Sequence, residues 1–328
     1  MPFVIDSAPY TAIRFALYAA LIAVLGASAF VLLPLRRVRG LGLGSDLFAE
    51  EAAGAARQIA IAGATVLVLA LPARLIAQSL AIFDAPFDIL PAIASTSWGR
   101  AWLLQLAGAL FGLVFAVRAR ALAVLPWRAT GLGAIAVALG FALSGHAAAA
   151  EHLSSLAVAL DTAHVVAAGA WVGTLAALAF AGIPAAMRGP AEHRASTAAA
   201  LVRAFSPVAL ASAAVLAASG VFAAWDQLGT IGQVVATPYG RTLLVKLALV
   251  AVMAAIGAVN WRVLTPRLGT EDACHGIRRS AVRELAVAVL VIAVTAILVA
   301  MPTHDEQGRS SRLPSRDSGT VTGVAVAD

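Results

Sequence analysis

Long apolar runs, broken by short polar segments, organise this chain. Eight stand out, at about 12–34, 57–81, 101–118, 129–147, 157–182, 204–225, 241–262 and 282–302. Each is long enough to cross a hydrocarbon core of about 30 Å at a rise of about 1.5 Å per residue. Backbone groups in lipid have no water to bond to, so a chain built of such runs must cross as helices. The pattern predicts an all-α, polytopic integral membrane bundle of about eight transmembrane helices. No Lys/Arg-rich region precedes the first run, which is expected to remain as a helix and not to be cleaved. Beyond Pro302 the sequence turns polar and rich in Ser and Arg, predicting a disordered tail over 303–328.

Composition agrees. Of 328 residues, 61% are hydrophobic and only 12% charged, against roughly a quarter charged in soluble domains. The formal charge of +6 would suggest nucleic acid in a soluble protein. Here the arginines sit in short loops between apolar runs, so the expected partner is the lipid bilayer and not nucleic acid. The first, third, fifth and seventh loops and their helix edges hold fifteen Arg residues, whereas the second, fourth and sixth hold only Arg100 and Arg241. That bias predicts a cytoplasmic location for the first set and places both termini outside. A single cysteine, Cys274, excludes an intramolecular disulfide and a Cys-cluster metal site.

The chain also reads as a repeat. Thr96-Ser97-Trp98-Gly99-Arg100 runs into AWLLQLAG, and Thr237-Pro238-Tyr239-Gly240-Arg241 runs into TLLVKLAL. Arg14 through Pro34 aligns without a gap on His164 through Pro184, and Arg57 falls on Arg203. Four helices per half predicts a 4+4 parallel internal repeat, with 1–148 as the first half and 149–302 as the second. Such repeats place a site between their halves.

Candidate chemistry gathers at the outer side. His146 ends the fourth run, His152 lies in the following loop, His164 lies inside the fifth run and His304 follows the eighth. An ionisable group inside a span is costly and marks a functional site by default. Asp161 lies one turn before His164 on the same helix face, and Trp171 two turns after it. A carboxylate there can orient the imidazole or join it in binding a cation, or the pair can be a structural hydrogen bond. Imidazole and thioether suit copper, so His146, His152 and His164 are candidate ligands, with His304 or Met301 as a further one. Arg14, Arg74 and Lys246 either reach for headgroups or line an outward-facing polar cavity. No Walker A sequence is present, which excludes ATP-driven pumping through a P-loop. One haem b held by His146 and His164 stays open.

The stretch SGHAAAAEHLSSLAVALDTAHVVAAGAWVGTLAAL, with TPYGRTLLVKL and Asn260-Trp261-Arg262 downstream, resembles the copper resistance D (CopD) family of bacterial inner-membrane proteins. The likeness is most specific over 144–268. It implies an eight-helix protein of the cytoplasmic membrane that handles copper, as Cu⁺ or Cu²⁺, in resistance or uptake, often beside a periplasmic copper carrier (CopC). The carrier domain is not fused here, so a carrier is expected as a separate protein. By position, His146, Asp161, His164 and Trp171 match the family motif. The expectation is a transporter with copper entering at the outer histidines and Asp161, then passing between the halves, with Asn260 and the Cys274–His275 pair as candidate inner acceptors. Moving an inorganic ion breaks no covalent bond, so no enzymatic activity is expected. The alternatives are a haem b electron-transfer protein and a non-transporting factor that delivers copper to a respiratory enzyme.

Overall fold

The computed structural model describes residues 8–42, 45–82, 87–120, 123–145, 154–228, 233–264, 270–299 and 301. Among them are eight helices long and apolar enough to span a membrane: α1 (Ala8–Gly40), α2 (Asp46–Ala81), α3 (Ser97–Arg118), α4 (Val124–Leu143), α5 (Ser154–Arg188), α6 (Ala191–Trp225), α7 (Pro238–Val263) and α8 (Asp272–Leu298). No strand occurs among the described residues. The predicted all-α multi-pass bundle is what forms.

Several helices run longer than their apolar stretch. The run predicted from 57 begins at Asp46, because DLFAEEAAGAARQ is rich in Ala and Glu, strong helix formers that hydropathy does not register. The start of α6, AEHRASTAAALVR, extends for the same reason.

The repeated segments fold alike where they start. Thr96 accepts from the Gly99 N–H at 3.0 Å, and Thr237 from the Gly240 N–H at 3.0 Å. Arg100 and Arg241 each reach back five residues, to the carbonyls of Ser95 and Ala236. The two threonines are side-chain N-caps, each satisfying an orphan amide at the helix start.

At the hub is α1, which packs against α2, α4, α5 and α8. It meets α5 backbone to backbone: a methyl group on Gly26 would overlap Gly173, and one on Gly173 would overlap Ile22 and Gly26. Beside that contact Thr174 Oγ1 donates to the Gly26 carbonyl at 3.4 Å. A second close crossing joins α3 to α4 through Gly108, Gly112 and Gly133. Small residues let helices approach within lipid, where no hydrophobic force drives them together.

The later spans pack differently. The pair α2 and α3 is in close contact, but its counterpart, α6 and α7, scarcely touches among the described residues. Helix α7 rests mainly on α8. Helices α5 and α7 carry π-helical turns, at Gly169–Gly173 and at Asn260–Leu264. Each widened turn rotates the residues beyond it about the axis, a feature frequent at functional sites.

Candidate functional site

His164 projects from α5 about 15 Å below the start of that helix. Its Nδ1 lies 2.9 Å from Ser219 Oγ on α6, and Ser219 is buried. Gly220 lies against the ring, where a Cβ would come 3.9 Å from Cε1. Proton bookkeeping sets the tautomer. The Ser219 hydroxyl has one proton, which it donates to the Val215 carbonyl at 2.6 Å. Towards His164 its oxygen must therefore accept, so Nδ1 carries the hydrogen and Nε2 keeps the lone pair. A ring held this way is the form that ligates a metal.

Lys246 of α7 lies within electrostatic range of both His164 and Asp161. Asp161 is exposed and also within range of Tyr18 on α1. The hydrogen bond found at His164 Nδ1 is to Ser219, so orientation of the imidazole falls to α6, and Asp161 stands nearby as the balancing charge for Lys246.

The corresponding positions of the first four spans are filled by a polar lock. Gln105, which aligns with Lys246 in the repeat, is fully buried. Its amide nitrogen donates to the Gly140 carbonyl at 2.8 Å and to Ser144 Oγ at 3.1 Å, while its oxygen accepts from Arg74 Nη1 at 3.1 Å. Arg14, aligned with His164, lies over the Tyr10 ring at 4.5 Å. Tyr10 in turn donates to Gln78 at 2.6 Å. Gln105→Leu should leave the Arg74 charge and the Gly140 carbonyl short of partners. The expected cost is about 1–3 kcal/mol, read as a lowered midpoint of thermal unfolding in detergent.

His146, His152 and His304 lie outside the described residues. The chain leads into the His146 segment from Ser144, which Gln105 holds, and α4 packs against α5. Met301 is half-buried just past α8, its amide donating to the Leu298 carbonyl at 3.2 Å. Among the described residues no three His, Cys, Asp or Glu side chains gather to hold one ion. Cys274 is buried with its Sγ 3.9 Å from the Ala195 carbonyl, whereas His275 is exposed.

Ser219 and Glu284 are the residues to which the sequence assigns no site role. Ser219 sits in an Ala-rich helix where a serine carries no signal of its own. Glu284 had one, an acid inside the eighth apolar run, masked by Arg278, Arg279 and Arg283 around it. Glu284 is buried. It accepts from Asn260 Nδ2 at 3.3 Å and is hydrogen-bonded to Trp171.

Comparison with known proteins matches this architecture to two families in series. The copper resistance protein D-like N-terminal domain matches residues 4–156, and copper resistance protein D matches residues 199–298. The chain belongs to the copper resistance D family. Copper transport protein CutJ of Bacillus subtilis (strain 168) is 28% identical over 233 residues, which is 67% of this chain and 40% of that protein. The chain thus spans less than half the length of this relative. No solved structure matches. In copper resistance D terms, Ser219, Lys246, Asn260 and Glu284 fall inside the second matched region, His146 inside the first, and His164 on the connecting helix between them.

Proposed function

We propose that this membrane protein carries copper across the cytoplasmic membrane, taking it up at the arginine-poor end, which the loop charges place outside. His164 Nε2 is the anchoring ligand. The observation that carries this reading is the Val215–Ser219–His164 chain, which presents an imidazole lone pair inside a span. His146 and His152 are the further nitrogens, Asp161 supplies negative charge, and His304 or Met301 is a fourth candidate. Two nitrogens and a thioether suit Cu⁺. A CopC-like carrier is the proposed donor.

The route runs inside the last four spans instead of between the halves. At the crossing of α1 with α5 the Gly26 and Gly173 backbones touch, and polar side chains continue inwards along α5, α7 and α8. The relative's printed name, a copper transport protein, favours transport over a delivery role.

The test is metal content and an absorption spectrum on detergent-purified protein loaded under reducing conditions. About one copper per chain is expected, lost in His164→Ala, with no Soret band. Equal copper in both proteins would remove His164 from the site. A Soret band that vanishes in His164→Ala would assign the histidine to haem b.

A further inference from the structure

A carboxylate buried in a span and left ionised without a partner costs several kcal/mol, so its surroundings say what it is for. Glu284 is 3% exposed. Its neighbours are neutral donors: Trp171 from α5 and Asn260 from α7. The Asn260 amide is itself oriented, because Ser280 of α8 donates to its Oδ1, turning the NH₂ towards the carboxylate. Gly257 leaves space on the remaining side, where a Cβ would come 3.7 Å from Oε1.

No ionised partner reaches it from the packed helices among the described residues. On α8, Arg278 donates to the Ala179 carbonyl and Arg283 is exposed. On α7, Arg262 lies over Trp261, and Lys246 stands about 21 Å along the helix from Asn260. On α6, Arg203 is exposed, and on α1, Arg36 and Arg37 are exposed while Tyr10, Arg14 and Tyr18 belong to the opposite end. On α5, Asp161 and His164 lie outward and Arg188 bonds to Glu51. Along that helix Trp171 is about 10 Å further in than His164. Carboxylate and amide oxygens are hard donors, matched to a proton and poorly matched to Cu⁺, so Asn260 acts here as a hydrogen-bond donor to Glu284 and not as a copper ligand.

We infer that Glu284 is a proton site on the copper route, releasing its proton towards the arginine-poor side as Cu⁺ passes inward from His164 and regaining one from the arginine-rich side. Neutral, the carboxyl tolerates burial; ionised, its charge draws the cation inward from His164. One positive charge replaces another, and no redox step is involved. This rests on the copper-transport reading above.

The experiment uses the full chain. Infrared difference spectra on copper addition in detergent report the protonated carboxyl, and a pH-sensitive dye inside proteoliposomes reports proton movement driven by external Cu⁺. Wild type should lose a protonated-carboxyl band as copper is added and should move protons. Glu284→Gln should hold copper as wild type does, lack that band and lose the proton signal. Trp171→Phe, which removes the indole N–H and keeps a ring, should shift the band, and it serves if the glutamine variant does not fold. Copper transport with the band and proton signal intact in Glu284→Gln overturns the inference and leaves the copper reading standing. A wild type that holds no copper overturns both.

Discussion

Copper affinity should fall by about 10- to 100-fold in Ser219→Ala, with the helical fold retained. Serine touches no metal in this arrangement. It acts by fixing a proton: its own goes to Val215, so the histidine must present Nδ1–H to it and Nε2 outward. Without the oxygen, the imidazole can take either tautomer and turn about its side-chain bonds. Part of the population then offers a hydrogen where the metal needs a lone pair. Ser219→Thr keeps the oxygen and should retain most of the affinity. Competition against a Cu⁺ chelator measures both variants. An alanine variant that binds as tightly as wild type would show that the ring is oriented by something else.

Leucine at Gly173 should stop the bundle from assembling. The Cβ position there coincides with the backbone of α1 at Ile22 and Gly26. A clash with a flexible side chain can relax by a change of rotamer, but a clash with backbone must separate two helices. Helix α1 also packs on α2, α4 and α8, so separation at this point disturbs the whole hub. The cost should exceed the roughly 1–3 kcal/mol usual for overpacking. Gly54→Ala is the control, since nothing lies within 4 Å of its Cβ position. It should be neutral or stabilising by up to about 1 kcal/mol. Gel filtration in detergent reads the difference: a single folded peak for the control, aggregate or no accumulation for Gly173→Leu.

The candidate site was legible only in part. His164 announced itself because an imidazole within an apolar run is conspicuous, and Asp161 followed from its spacing. Lys246 was visible as a cation in a span, but not as the companion of Asp161. The role of Ser219 was not legible, since serine is tolerated on any helix face and what it does depends on which side chain a neighbouring helix brings within 2.9 Å. The contact of α1 with α5 was hidden for a similar reason. Glycine in a helix reads as flexibility or as small size, and only packing reveals that Gly26 and Gly173 meet each other.

By itself the sequence determined that this chain lives in a bilayer, how many times it crosses and which loops are basic. These follow from transfer free energies summed over twenty or so residues, a local property that needs no partner. It also carried the repeated Thr-capped helix starts, because a cap is completed within four residues. Tertiary structure alone decided which helices touch, that α6 and α7 stand apart, which histidine nitrogen keeps its lone pair, and that Glu284 lies buried beside Trp171 and Asn260. Each of these depends on the rotation of one helix against another, which π-helical turns and glycine contacts adjust and hydropathy does not encode.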